Sequence, residues 1–364
     1  MKKILLIIGT RPEAIKMCPL LKELEEKEEI EPILAVTGQH RELLSSALSV
    51  FGVKPNYDLQ LMRQSQSLCD LTARITEGVG PLLRDIRPDL VLVHGDTTTA
   101  FGSALAAFYE GIPIGHVEAG LRTYDLSAPF PEEWNRRAVS LLARYHFAPT
   151  EKAKENLLSE GIPKERILVT GNTGIDALRY TVKKDFSHPL LDFFEGGRPI
   201  LLTAHRRESQ GEAMRAMLRG IRRFAKEHPE ARILYPTHPS PAVRRIAEEA
   251  LGGIPSILLC DPLDTVTFHN LLARSYFCVT DSGGIQEEAV SLSKPTLVLR
   301  DLTERPEGIL AGGARLIGRS EGSVFRALRD LWEAPALWHA MATAPSPYGD
   351  GFASRRIADY LEAI

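Results

Sequence analysis

The sequence predicts an α/β protein built from two doubly wound, Rossmann-like domains. Three observations carry this reading. Short apolar runs alternate with longer helix-periodic stretches along the whole chain. The alternation starts again after an irregular segment in the middle. Unusual polar residues recur just past the ends of the apolar runs, in both halves. At 364 residues the chain is also long for one core and suits two domains.

In the first half the expected strands are Ile4–Ile8, Pro32–Val36, Leu90–Val93, Ile112–Val117, His146–Ala148 and Ile167–Thr170. They are dense in Ile, Leu and Val, as strands of a parallel sheet covered on both faces must be. The helical patterns between them are Ile15–Glu26, Arg41–Val50, Ser67–Asp85 and Ala100–Tyr109. In the second half the strands are Ile200–Thr203, Arg232–Tyr235, Ser256–Leu259, Phe277–Thr280 and Thr296–Leu299. Its helices include Glu212–Glu227, Val243–Ala250, Ile285–Leu292 and Ser323–Trp332. Asp185–Gly197 mixes aromatics, Pro and a Gly pair without a period. The expected division is therefore a domain over 1–171, a hinge over 172–198 and a domain over 199–352. The helical tail 353–364 has no strand of its own and is expected to pack back on the first domain.

Composition narrows the function. A formal net charge of −3 without a Lys/Arg stripe argues against a nucleic-acid partner. The four cysteines form no CxxC pair and read as reduced thiols, and no metal-ligand spacing appears. The apolar run after Lys2-Lys3 is too short for a signal peptide. No segment is long and apolar enough to span a membrane, so the expected location is the cytoplasm. The chain has neither GxGxxG nor a P-loop Lys-Ser/Thr, so no nicotinamide or ATP site is expected, and no cofactor.

In doubly wound sheets ligands bind outside the carboxyl ends of the strands. Gly9–Lys16 (GTRPEAIK) leads from a strand into a helix, with Pro12 suited to the first turn and Arg11 and Lys16 as cations. His94-Gly95-Asp96-Thr97 offers an acid, or simply a helix cap for Ala100–Tyr109. Glu118 ends an apolar run, where a carboxylate is costly to bury unless paired. Pro131-Glu132-Glu133 adds carboxylates, with Arg136 as a possible i+4 ion-pair partner of Glu132. His205-Arg206-Arg207-Glu208 ends the first strand of the second half. Asp281-Ser282-Gly283-Gly284 opens a helix whose free N–H groups suit a phosphate, and Glu288, one turn in, suits a ribose. The bland alternatives are caps, solvated faces and surface charges.

Read together these segments resemble the non-hydrolysing UDP-N-acetylglucosamine 2-epimerases of bacterial type. The matching text runs in order through GTRPEAIKM (9–17), GQH (38–40), HGDT (94–97), HVEAGLRT (116–123) and PEEWNR (131–136). It continues with GNT (171–173), HRRE (205–208), TDSGGIQEEA (280–289), TERPE (303–307) and PYGDG (347–351). Three departures are visible: Ser209 for Asn, Gly313 for Thr, and Pro239-Ser240-Pro241 for an Asn-Pro wording.

The resemblance implies the GT-B two-domain fold of nucleotide-sugar glycosyltransferases, with the active site in the interdomain cleft. It implies reversible conversion of UDP-GlcNAc to UDP-ManNAc by a homodimer, through loss of UDP, a 2-acetamidoglucal and re-addition. UDP-ManNAc feeds bacterial surface polysaccharides. Asp96, Glu118, Glu132 and His205 are then the catalytic candidates, the separate roles of the three acids staying open. Arg11, Lys16, Arg136, Ser282, Gly283, Gly284 and Glu288 are the substrate ligands. Phe268, expected in a loop after Asp264, falls beside the uracil. Several family members bind a second substrate molecule; here Gln39, Glu132, Arg206 and His238 match that site. Glu42 and Ser65 stand where Gln and Arg occur and weaken it. The competing readings are a hydrolysing 2-epimerase, a GT-B glycosyltransferase using a UDP-sugar, and a non-catalytic sugar-nucleotide sensor.

Overall fold

The computed structural model describes residues 1–38, 41–63, 66–206, 211–303 and 305–364, with 41–43 as backbone only. The chain divides into two compact units: Met1–Tyr180 with Gly349–Ile364, and Thr181–Tyr348.

Unit 1 holds strands β1 (Lys2–Ile8), β2 (Ile30–Val36), β3 (Tyr57–Asp58), β4 (Leu90–His94), β5 (Ile114–Val117), β6 (Tyr145–Ala148) and β7 (Ile167–Val169). Its helices are α1 (Arg11–Glu25), α2 (Arg41–Val50), α3 (Leu68–Ile86), α4 (Thr98–Tyr109), α5 (Glu132–Leu142), α6 (Glu151–Ser159) and α7 (Thr173–Thr181), which ends at the unit boundary. The sheet order is β3-β2-β1-β4-β5-β6-β7, with parallel pairing throughout. Alternate β1 residues serve opposite faces, as the two-residue period of a strand requires. Ile4, Leu6 and Ile8 pack with α1 and α2, and Leu5 and Ile7 with α3 and α4.

Unit 2 holds β8 (Arg198–Thr203), β9 (Ala231–Pro236), β10 (Ile257–Cys260), β11 (Phe277–Thr280), β12 (Thr296–Val298) and β13 (Ala314–Leu316). Its helices are α8 (Glu212–Glu227), α9 (Pro241–Leu251), α10 (Thr265–Arg274), α11 (Gly283–Ser291), α12 (Pro306–Leu310), α13 (Glu321–Glu333) and α14 (Pro335–Ala342). The order β10-β9-β8-β11-β12-β13 is again all parallel. Both sheets are doubly wound, as the sequence predicts.

The last helix, α15 (Ala353–Ala363), belongs to unit 1. Ile357, Ala358 and Leu361 enter the core beside α1, and Lys27 pairs with Asp359 and Glu362 at 2.6 and 2.9 Å. The buried Asp176 carboxylate accepts the Ala353 and Ser354 N–H groups at 3.1 and 2.6 Å. The stretch 172–198 contains α7 and a 3-10 segment, Pro189–Phe194, whose Phe194 joins a core with Leu201 and Leu234.

Some elements differ from the sequence reading. β3 and β13 are too short to show a period. Phe268 lies in the first turn of α10 and not in a loop; Asp264 caps that helix, accepting from Thr267 N at 3.0 Å. Among the described residues no helix is long and apolar enough to cross a membrane.

Candidate active site

In each sheet the strand order reverses between two neighbours, β1 and β4 in unit 1, β8 and β11 in unit 2. Ligands of such sheets bind at that switch point, past the carboxyl ends. Most of the candidate residues follow those four strands.

In unit 1, β1 turns into α1 at Gly9-Thr10. A Cβ at Gly9 would lie 2.2 Å from Thr99 Oγ1 and 2.6 Å from Thr37 Oγ1, so the turn accepts glycine alone. Thr10 caps α1, and Glu13 completes a capping box. Glu13 Oε2 accepts from Gly9 N and Thr10 N at 3.1 and 2.8 Å, while Oε1 accepts from the Thr97 hydroxyl at 2.8 Å. This fully buried carboxylate therefore ties the turn carrying Arg11 to the loop carrying Asp96. Burial pushes its pKa up to about 7, against those hydrogen bonds.

Lys16 Nζ forms an ion pair with Glu118 Oε2. Its stem runs past Gly174, where a Cβ would sit 3.3 Å from Lys16 Cε. Glu118 follows β5 with φ 63, in the left-handed region that non-glycine residues rarely occupy. His94 Nε2, at the end of β4, lies 3.7 Å from Glu118 Oε2. Burial holds the His94 pKa down to about 4, so the imidazole is neutral at neutral pH.

Asp96 does not cap α4. Thr97 does, accepting from Ala100 N at 3.0 Å. The Asp96 carboxylate is gripped by the Arg136 guanidinium, Nε at 3.0 Å and Nη2 closer, and Asn135 Nδ2 donates to the Asp96 carbonyl at 2.9 Å. Arg136, 7% exposed, also reaches Glu133 at 3.2 Å and not Glu132. Glu133 is fully buried and accepts from Thr123 N and Tyr124 N at 3.0 and 3.1 Å. Glu132, half-buried at the start of α5, has no hydrogen-bond or ion-pair partner among the described residues.

In unit 2, the buried Asp281 follows β11, and its Oδ2 accepts from His205 N and Arg206 N, both at 2.8 Å. Its Oδ1 stands 3.6 Å from His205 Nδ1. The His205 ring stacks on His238, centroids 5.5 Å apart. Ser240 N donates to His238 Nδ1 at 3.1 Å, which leaves the proton on Nε2. Ser282 is the N-cap residue of α11, yet its side chain makes no capping bond. A Cβ at Gly284 would meet nothing within 4 Å, so the first turn of α11 faces open space. Glu288, one turn on, lies 3.4 Å from His269 Nε2. At Gly313, where the resembling family commonly has Thr, a Cβ would come within 2.8 Å of Val290 Cγ1, so this valine fills the room a threonine needs.

Gln39 falls outside the described residues, as does the Glu42 side chain; Arg206 and His238 are described. Sequence reading gives Glu13 and His269 no role and names Glu133 only as one of a pair of carboxylates. Only Glu13 carried a readable signal, the Thr-x-x-Glu capping pattern. Among the described residues no group of three or more His, Cys, Asp or Glu side chains is placed to hold a metal ion.

The buried imidazoles predict acid sensitivity. Burial lowers the pKa of His94 and His146 to about 4 and of His116 to about 3. Unfolded, each titrates near 6.5, so the unfolded chain binds more protons below that pH. The stability they contribute is full above pH 6.5 and is lost as pH falls towards 4, on the order of 3 kcal/mol apiece. Glu13 has the opposite sign, its share being full below about 4.5 and gone above 7. Thermal melts should therefore drop steeply between pH 6.5 and 4.5; a flat profile there contradicts the assignment.

With the geometry in place, the chain can be set against known proteins. The family model described as UDP-N-acetylglucosamine 2-epimerase matches residues 22–362. A Bacillus subtilis protein named UDP-N-acetylglucosamine 2-epimerase is 49% identical over 359 residues, covering 99% of this chain and 94% of that protein. The S. aureus MnaA–UDP co-structure is 49% identical with a TM-score of 0.94, over 100% of this chain and 96% of that one. The Neisseria meningitidis UDP-GlcNAc 2-epimerase structure bound to UDP-GlcNAc is 44% identical with a TM-score of 0.92, over 100% of both chains. The fold alone is shared with a glycosyltransferase of kitacinnamycin, at a TM-score of 0.66 and 14% identity. By the family match and these identities, the chain belongs to the UDP-N-acetylglucosamine 2-epimerase family.

Proposed function

We propose that this chain interconverts UDP-GlcNAc and UDP-ManNAc without hydrolysis, as a homodimer. The observation that carries the reading is Glu118. Its side chain is 8% exposed, on left-handed backbone, against Lys16 and a neutral His94. Capping and sheet pairing do not call for such a group, whereas proton transfer at carbon does. Two relatives support the same reading: a 2-epimerase whose structure holds UDP-GlcNAc, and a homologue whose structure holds UDP.

No carbonyl makes the C2 hydrogen of the sugar acidic, so simple deprotonation is a poor route. In the proposed route a carboxylate takes the C2 proton as the C1–O bond breaks, its electron pair leaving on the diphosphate oxygen. This gives 2-acetamidoglucal and UDP. A proton then returns to C2 from the other face and the diphosphate oxygen re-forms its bond to C1. Asp96, Glu118 and Glu132 are assigned to the sugar. Arg11, Lys16, Arg136, His205 and the turn 282–284 are assigned to the charge growing on the diphosphate. Phe268 is assigned to the uracil and Glu288 to the ribose. A second UDP-GlcNAc site built on Gln39, Glu132, Arg206 and His238 remains part of the proposal, weakened by Glu42 and Ser65.

Incubation with UDP-GlcNAc in D2O tests the reading. NMR should show deuterium at C2 and drift to a mixture with UDP-ManNAc, at a rate EDTA leaves unchanged. Stoichiometric free ManNAc would mean a hydrolase, and neither exchange nor epimer would remove the assignment.

A further inference from the structure

We propose that His269 is a positioning residue that sets the Glu288 carboxylate for the ribose hydroxyls, and so makes the site discriminate ribonucleotides from deoxyribonucleotides. The inference rests on the nucleotide-sugar reading above and concerns a residue which that reading leaves unused.

His269 is 2% exposed and lies on α10, next to Phe268. Consecutive helix residues point about 100° apart. The helix thus supplies Phe268, the uracil candidate, at one position and the partner of the ribose candidate at the next. His269 Nδ1 is 2.7 Å from the Thr181 hydroxyl, and Nε2 is 3.4 Å from Glu288 Oε2 on α11. With Nδ1 accepting from Thr181, the ring proton sits on Nε2, the nitrogen 3.4 Å from the carboxylate.

The neighbouring Asn270 ties the helix that carries the ring to the chain at Thr181 and Lys183. Asn270 Nδ2 donates to the Thr181 and Val266 carbonyls at 2.7 and 2.8 Å, and Oδ1 accepts from Lys183 N at 2.9 Å. Glu288 itself is partly exposed, with a side chain 20% accessible. A glutamate on an open helix face samples several rotamers, and a ligand must then stop that motion on binding. A buried imidazole held by Thr181 limits that freedom beforehand.

Binding of UDP, 2′-deoxy-UDP and 3′-deoxy-UDP by calorimetry reads the effect, without relying on turnover. The protein should favour UDP over at least one deoxy analogue by about tenfold, the size of one hydrogen bond to a charged group. His269→Asn can place its amide oxygen where Nδ1 accepts from Thr181 and loses the nitrogen nearest Glu288; the preference should fall to about twofold or less. His269→Gln places its amide nitrogen near Nε2 and should keep the preference. If His269→Asn does not fold, Thr181→Val takes its place. It removes the hydroxyl that orients the ring at constant shape, and should lower the preference about threefold or more. An unchanged preference in His269→Asn, or in Thr181→Val where that takes its place, overturns the inference, and so does a wild type that binds UDP and both analogues equally. A wild type that does not bind UDP overturns the nucleotide-sugar reading itself, and this inference with it.

Discussion

Glu118→Gln should lower turnover of UDP-GlcNAc by about 100-fold or more, as loss of a general acid or base does. UDP affinity should change far less, because Glu118 is assigned to the sugar, while the uracil and the ribose are assigned to Phe268 and Glu288 in unit 2. The amide cannot take a proton from carbon, and Lys16 loses its charged partner. Asp96→Asn and Glu132→Gln should fall by a similar factor, but the three differ in stability, which separates chemistry from architecture. Asp96 carries a charged, two-pronged bond from the buried Arg136, so its loss should also cost about 1–3 kcal/mol. The Glu132 side chain has no bonded partner among the described residues, so its loss should cost no more than about 0.3–1 kcal/mol, the worth of an acid in the first turn of α5. Steady-state kinetics, UDP calorimetry and thermal melts on the three variants check this. A variant that keeps near-wild-type turnover leaves the catalytic group. If Glu132→Gln loses activity and stability together, the residue is structural.

The sequence made the strands legible because buried parallel strands are runs of Ile, Leu and Val; Phe277–Thr280 is observed with the bounds expected for it. It showed that polar residues follow the strand ends, but not which strands are neighbours. A strand–helix–strand pattern implies parallel pairing without fixing the order. That order places the β1 turn beside the β4 loop and the β8 end beside β11, and so gives Glu13 its bond to Thr97 and Asp281 its bonds to His205 and Arg206. The Thr-x-x-Glu pattern could mark Glu13 only as a local group, because its second bond spans residues far apart in the chain. Asp96 read equally well as cap or acid. Thr97, one residue later, takes the cap and leaves Asp96 to Arg136. α10 was missed because its buried face includes Thr265, Thr267, His269 and Asn270, which give no apolar period. The same polarity is what lets that helix hold Glu288.

Gly284→Asp should cut UDP affinity by about 100-fold or more and leave the fold as stable as before, or slightly more so. The two effects have opposite signs for one physical reason. The first N–H groups of α11 have no partner within the helix, whose first backbone bond in range is Gln286 N to the Ser282 carbonyl at 3.2 Å. Ser282 makes no side-chain cap, so the positive end of the helix stays available to an anion. An aspartate in the first turn complements that end by about 0.3–1 kcal/mol. A Cβ at Gly284 meets nothing within 4 Å, so the side chain enters without a clash. The same carboxylate would stand where the diphosphate is assigned and repel it. Gly284→Ala separates charge from bulk, because one methyl group in open space should cost far less affinity than the carboxylate. Calorimetry with UDP beside thermal melts of both variants decides the matter. If Gly284→Asp binds UDP as the wild type does, the first turn of α11 is not the phosphate cradle, and the nucleotide must be held elsewhere in the chain.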